Sequence, residues 1–159
     1  MIKAAGACIL AKDTKRILLQ HRSLKSSYAR NWAFWGGKIE DNENVSQGLL
    51  RELEEEIGID VEECVTKVYP LDQYHTRDKT FSYYTFVVLI DKEFTPIIND
   101  ESGGYAWVNS NYFPRPLHPG AQRTLFKKKK LILDVPTPTT IQFSEIKDSE
   151  LSEINKNIR

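Results

Sequence analysis

Between Gly36 and Ile59 the chain reads GGKIEDNENVSQGLLRELEEEIGI, which places six glutamates and one aspartate in one short stretch. Val45, Leu49, Leu50, Leu53 and Ile57 recur at helical spacing, so its second half is expected to form an amphipathic helix. At about 100° per residue, Glu52, Glu55 and Glu56 fall on an arc beside the apolar stripe. Glu54 points elsewhere, and Arg51 flanks the acids. Carboxylates spaced i,i+3 and i,i+4 destabilise a helix by roughly 0.2–0.5 kcal/mol per pair, and acids in the last turn also oppose the helix dipole. A bound cation offsets both effects. Hard carboxylate oxygens select Mg²⁺, Mn²⁺ or Ca²⁺ over Zn²⁺, and Mg²⁺ favours one or two carboxylates combined with substrate phosphates. The competing reading is a plain solvated face, which an acidic run by itself favours. Gly36 and Gly37, directly after the apolar WAFW, shift the balance, because they let the backbone approach a ligand or metal closely.

The spacing of the stretch resembles the Nudix hydrolases, whose signature is G-x5-E-x7-R-E-aliphatic-x-E-E-x-G-aliphatic. The matching residues are Gly37, Glu43, Arg51, Glu52, Leu53, Glu55, Glu56, Gly58 and Ile59. The flanking order of strands extends the resemblance over roughly residues 3 to 132. It implies an α/β/α sandwich with a mixed β-sheet, hydrolysis of a nucleoside diphosphate linked to another group, and a requirement for Mg²⁺ or Mn²⁺. The metal ligands it implies are Glu52, Glu55, Glu56 and the Gly36 carbonyl, with Glu101, six residues ahead of Trp107, as the additional glutamate outside the box. Glu56 and Glu101 both stand as candidates for the general base. Arg51 and Glu43 are implied to brace the loop, with Gly37 beside them.

Arg22 and Lys38 match positions that touch phosphate in members of the family. Trp35 stands where proline commonly precedes the two glycines; Trp32, Phe34 and Trp35 are all expected candidates for stacking on a nucleobase, and because alternate strand residues face the core at least one of them is expected to pack instead. Tyr74 lies close to the position of a tyrosine typical of dinucleoside polyphosphate hydrolases. His118 lies in YFPRPLHPG, which resembles the purine-reading loop of the oxidised-nucleotide triphosphatases, although Leu117 occupies the expected asparagine position. His75 is the other histidine near a candidate ligand loop, and one of Tyr83 and Tyr84 is expected to line the pocket while the other packs. Nucleoside triphosphates, dinucleoside polyphosphates, ADP-ribose and nucleotide sugars all remain open as substrates. So do a non-catalytic nucleotide sensor and an RNA 5′-end hydrolase.

The elements that must position these residues are short apolar runs bounded by turn residues. Strands are expected at KAAGACILAK, RILLQHR, VTKVYPLDQYH, FSYYTFVVLID and YAWVN. One helix should start at the Asn44-x-x-Gln47 capping box and stop at Gly58, and a second should run from Pro119 through AQRTLFKKKKLIL. The expected organisation is a Nudix domain over residues 1–134 and an extension over 135–159. In the extension Ile146, Leu151, Ile154 and Ile158 suggest a weakly amphipathic last helix.

The 159 residues suit one domain with one sizeable core. Lys plus Arg and Asp plus Glu each number 22, so no global charge draws in nucleic acid or an anionic membrane, and a phosphate must be held by local cations. Two distant cysteines without metal-ligand spacing argue for a reducing, cytoplasmic setting. The opening segment is read as a strand, and no apolar run approaches the roughly 20 residues needed to cross a bilayer. A small nucleotide is the expected partner, and a homodimer is left open.

Overall fold

A computed structural model describes residues 1–58 and 60–133. The proposed terminal extension and its helix lie outside the described residues. In chain order the elements are β1 (Ile2–Ala11), β2 (Arg16–Arg22), β3 (Trp32–Ala33), β4 (Trp35–Lys38), α1 (Val45–Ile57), α2 (Val61–Cys64), β5 (Val65–His75), β6 (Phe81–Ile90), β7 (Ser102–Asn109) and α3 (Pro119–Leu133). The five expected strands and both expected helices are present. The two-residue β3 and the start of the four-residue β4 fall on the strand-like WAFW, and the one-turn α2 is an addition too short to show a period in the sequence.

The sheet is mixed. β1 runs parallel to β6 along its whole length, from Ile2 opposite Phe81 to Ala11 opposite Ile90, and β5 lies antiparallel on the far side of β6. The other edge of β1 is shared. Its second half pairs with β2 through Ile9 and Leu10, whereas its first half pairs with β4 from Ala4 opposite Lys38 to Ala7 opposite Trp35. β3 and β7 extend the sheet on β2. This split lets the glycine-bearing β4 leave the sheet centre and lead through a six-residue loop into α1.

Alternation along the central strands sorts the core into two layers. Ala5, Ala7, Ile9 and Ala11 of β1, with Phe86 and Val88 of β6, lie in one cluster with Val45, Leu49, Leu53 and Ile57 of α1. Cys8 and Leu10, with Val87 and Leu89, lie in a second cluster with Ala121, Leu125 and Ile132 of α3. Helices thus cover both faces, giving the α/β/α sandwich. Each fully buried Val, Leu or Ile contributes about 1.5–3 kcal/mol, so the apolar stripe of α1 holds the acidic arc beside it firmly on the sheet. Cys8 is wholly buried and its thiol is pushed well up by burial, while Cys64 is exposed.

The ends of α1 follow the sequence. The Asn44 side chain accepts from the Gln47 backbone N–H, the Gln47 side chain accepts from the Asn44 N–H, and Gly58 closes the helix in the left-handed conformation at φ 73°. No helix among the described residues is long and apolar enough to cross a membrane.

Candidate active site

The two glycines of β4 press the strand against α1. Gly36 adopts φ 134°, and a Cβ there would lie 2.1 Å from the Ala5 carbonyl oxygen. Its N–H donates to Glu56 Oε2 at 2.8 Å. At Gly37 a Cβ would fall 2.7 Å from the Glu52 carboxylate, so only glycine leaves that carboxylate its place. Glu101, just ahead of β7, completes the group: Glu52, Glu56 and Glu101 offer carboxylate oxygens that all lie within 4.8 Å of one another.

The electrostatics of this group are unfavourable as it stands. Glu56 is 1% exposed, and burial together with the neighbouring carboxylates of Glu52 and Glu101 pushes its pKa up to about 8, against the Gly36 N–H that favours its charge. Burial also raises Glu52, opposed by Arg51. An all-oxygen cluster that resists full ionisation fits a hard divalent cation, whose charge would compensate all three groups.

Arg51 organises the surrounding loop. Its Nε donates to Glu43 Oε1 at 2.6 Å and its Nη2 to Glu43 Oε2 at 3.0 Å, while Nη2 also reaches the Lys38 carbonyl at 3.0 Å. Nη1 donates to Glu52 Oε1 at 3.0 Å and more distantly to Glu55 Oε2 at 3.4 Å. Bidentate pairing holds the Glu43 carboxyl below its usual range. Glu55, expected beside the other two box glutamates, is an exposed residue that leans to Arg51 and lies outside the three-carboxylate group.

Next to the glutamates lies a cavity of about 700 Å³. Its floor can be read from the strand register. Lys38, Ala4, Tyr83 and Tyr74 form one row across β4, β1, β6 and β5, and Gly36, Gly6, Thr85 and Asp72 form the next. At about 4.8 Å between strands, Gly36 and Asp72 are roughly 14 Å apart, with the three carboxylates beside the first and β5 carrying the second. Gly6 matters here, because a Cβ would lie 2.0 Å from the Tyr83 hydroxyl. Tyr83 therefore lies across β1 on the cavity side, while Tyr84 packs in the α1 layer.

Arg22, Lys38, Tyr74 and His118 all line this cavity, together with Gly36, Gly37 and Glu101. The Arg22 Nε donates to the Ser27 carbonyl at 2.7 Å, which steadies the guanidinium. His118 Nδ1 accepts from the Gly120 N–H at 3.1 Å, and burial with nearby Arg22 lowers its basicity. Trp35 is different. It is fully buried in the α1 layer and its indole N–H donates to the Leu18 carbonyl at 3.0 Å, so the expectation that it meets substrate is corrected to a packing role. Phe34, one residue earlier on the opposite face, lines the cavity instead. His75 pairs with Ser82 at 2.7 Å, and Leu117 bridges the Trp32 backbone.

On the β5 side of the floor the sequence points to Tyr74 but not to Asp72 or Arg123. There Arg123 Nη2 donates to Asp72 Oδ2 at 3.2 Å while its guanidinium lies 4.6 Å from the centre of the Tyr74 ring. A lone aspartate within the apolar VTKVYPLDQYH was the available signal, but its partner is 51 residues away.

The Nudix domain model matches residues 2–128. Curated relatives include the 8-oxo-dGTP diphosphatase of Proteus vulgaris, 41% identical over 81 residues that cover 51% of this chain and 70% of that protein. The CTP pyrophosphohydrolase of Escherichia coli K12 is 48% identical over 54 residues, covering 34% of this chain and 39% of that protein. The putative 8-oxo-dGTP diphosphatase 3 of Mycobacterium tuberculosis is 33% identical over 123 residues, covering 74% of this chain but 57% of that protein. Among solved structures, the Nudix hydrolase RenU of M. smegmatis superposes with a TM-score of 0.71 at 23% identity, over 85% of this chain and 88% of that one. The chain belongs to the Nudix family of hydrolases.

Proposed function

We propose that the protein is a divalent-cation-dependent pyrophosphohydrolase that converts a nucleoside triphosphate into the monophosphate and pyrophosphate. The observation that carries this reading is the floor of the cavity: a compact carboxylate group at one side and, four strands across, an aromatic ring and an ion pair suited to a base. The names of the relatives support a triphosphate, since 8-oxo-dGTP, CTP and, for a Haemophilus influenzae protein, dihydroneopterin triphosphate all appear among them.

Phosphoryl transfer depends chiefly on positioning and on stabilising charge that spreads over the phosphoryl oxygens. Glu52, Glu56 and Glu101, with the Gly36 carbonyl, would hold Mg²⁺ or Mn²⁺, which when bound neutralises phosphate charge and makes an attacking water more acidic. Arg51 holds Glu52 in place and fastens the Lys38 peptide. Lys38 and Arg22 supply the local positive charge that a chain of zero formal net charge needs to hold a polyphosphate. Phe34 and Tyr74 offer faces to a planar ring, and Asp72 with Arg123 places an acceptor beside a donor for its polar edge.

The test is a product analysis with Mg²⁺ over all common ribo- and deoxyribonucleoside triphosphates, 8-oxo-dGTP, ADP-ribose and dinucleoside polyphosphates. Pyrophosphate and a monophosphate are expected from one or more triphosphates. Orthophosphate release, or no turnover of any triphosphate by protein that binds the cation, overturns the proposal. The 8-oxo-dGTP arm has a particular use, because the named relatives favour it and Leu117 disfavours it.

A further inference from the structure

α1 supplies Glu52 and Glu56, whereas Glu101 arrives from a segment more than forty residues later, so something must set the distance between them. The contacts at the end of α1 do so. The last carbonyls of a helix have no partner within it. Here the Glu54 carbonyl accepts from the Gly58 N–H at 2.9 Å and the Ile57 carbonyl from the Ile97 N–H at 2.6 Å. The Glu55 carbonyl accepts from the side chain of Asn99, whose Nδ2 lies at 3.1 Å. The other end of the same amide is also engaged: Asn99 Oδ1 accepts from the Glu101 N–H at 3.0 Å. Gly58 admits this segment, since a Cβ there would lie 2.8 Å from both the Cβ and the carbonyl oxygen of Ile97.

From this bridge we infer that Asn99 is a positioning residue that holds the Glu101 carboxylate at Glu52 and Glu56 and thereby sets the affinity of the site for its divalent cation. The inference rests on the proposed function only in treating these three glutamates as cation ligands. An amide is the side chain the bridge requires, because one end donates to a helix carbonyl and the other accepts from a peptide N–H. Aspartate keeps the acceptor and loses the donor, and alanine loses both. The far side of the Glu101 peptide is fastened separately, its carbonyl accepting from the Ser23 N–H at 3.0 Å, so removing Asn99 frees one side of the segment and leaves the other attached.

The test compares N99A, N99D, E101Q and N99A/E101Q with the parent chain by titrating Mn²⁺ alone and following the free ion by electron paramagnetic resonance. Metal-free thermal melts establish that each variant is folded. Loss of a partner that orients a metal ligand costs roughly 10–100-fold in affinity, and a drop in that range is expected for N99A. The double variant should bind Mn²⁺ no more weakly than E101Q, since Asn99 acts through Glu101. In turnover, N99A should raise the Mg²⁺ concentration giving half-maximal rate while leaving the nucleotide KM at saturating Mg²⁺ unchanged. If N99A does not fold, N99D carries the same comparison. Unchanged Mn²⁺ affinity, or an undiminished N99A effect on the E101Q background, overturns the inference. Failure of the parent to hydrolyse nucleotides would refute the proposed function and leave the Mn²⁺ comparison valid.

Discussion

The two sides of the cavity floor are built in different ways. On the β4 side, everything but Glu101 comes from a strand, its following loop and one helix within residues 35–57, fastened by the Arg51 hydrogen bonds and by glycines that tolerate no side chain. On the β5 side, Asp72, Tyr74 and Arg123 come from two elements far apart in sequence and meet through one ion pair and one ring contact. Local contacts thus dominate on the carboxylate side, and long-range ones on the side proposed to read a base. Substitutions on the first side should change rate for every substrate alike, while those on the second should change preference.

The largest expected effect is that of Glu56→Gln, which removes a buried carboxylate of the proposed cation site. A loss of kcat of at least about 10²-fold is expected for all triphosphates equally, with a melting temperature no lower than that of the parent. A shift of substrate preference in this variant would break the comparison. Next is Arg51→Lys, which keeps the charge but cannot reproduce the fork to Glu43 and the Lys38 carbonyl. A roughly 10–100-fold fall in kcat/KM is expected, partly recovered by raised Mg²⁺. Arg123→Ala should alter the ratio of kcat/KM between two bases by about tenfold while kcat for the better one changes little, in keeping with about 1–3 kcal/mol for a contact to a base. Glu55→Gln, on the exposed rim, should cost less than Glu56→Gln, and equal losses would show that Glu55 swings into the site during turnover.

The smallest readout is a pH slope. Glu56 holds its proton with a pKa of about 8 in the folded chain, against an ordinary value of 4.5. A pKa raised by folding adds stability that is complete below the ordinary value and is lost as pH rises through the raised one. With chelator present, the melting temperature should therefore fall between about pH 4.5 and 8, and Glu56→Gln should flatten that fall. Mg²⁺ should restore stability most at the alkaline end, where it no longer competes with the proton.

The same contrast explains which features are legible in the sequence alone. The capping box at Asn44, the left-handed Gly58 and the apolar stripe of α1 depend on neighbours within a few residues, and they stand where the sequence puts them. Glu101 was legible only through its distance from Trp107, which belongs to strand β7. Trp35 was misread for a physical reason: alternation says that neighbouring residues face opposite ways, but it does not say which way is inward, and the positive φ of Gly36 interrupts the pattern immediately afterwards. The Asp72–Arg123 pair and the Asn99 bridge depend on side chains brought together by the whole sheet, and no local period announces them.

Cys8 lies in the layer beneath α3, and Cys64 lies open at the end of α2. A thiol reagent added to intact protein should consume Cys64 quickly, whereas Cys8 reacts only in molecules whose central strand has come free of its cover. The lag between the two is an intrinsic clock for opening events, available in the wild-type chain with no engineered label, and a ligand that tightens the domain should visibly slow its second tick.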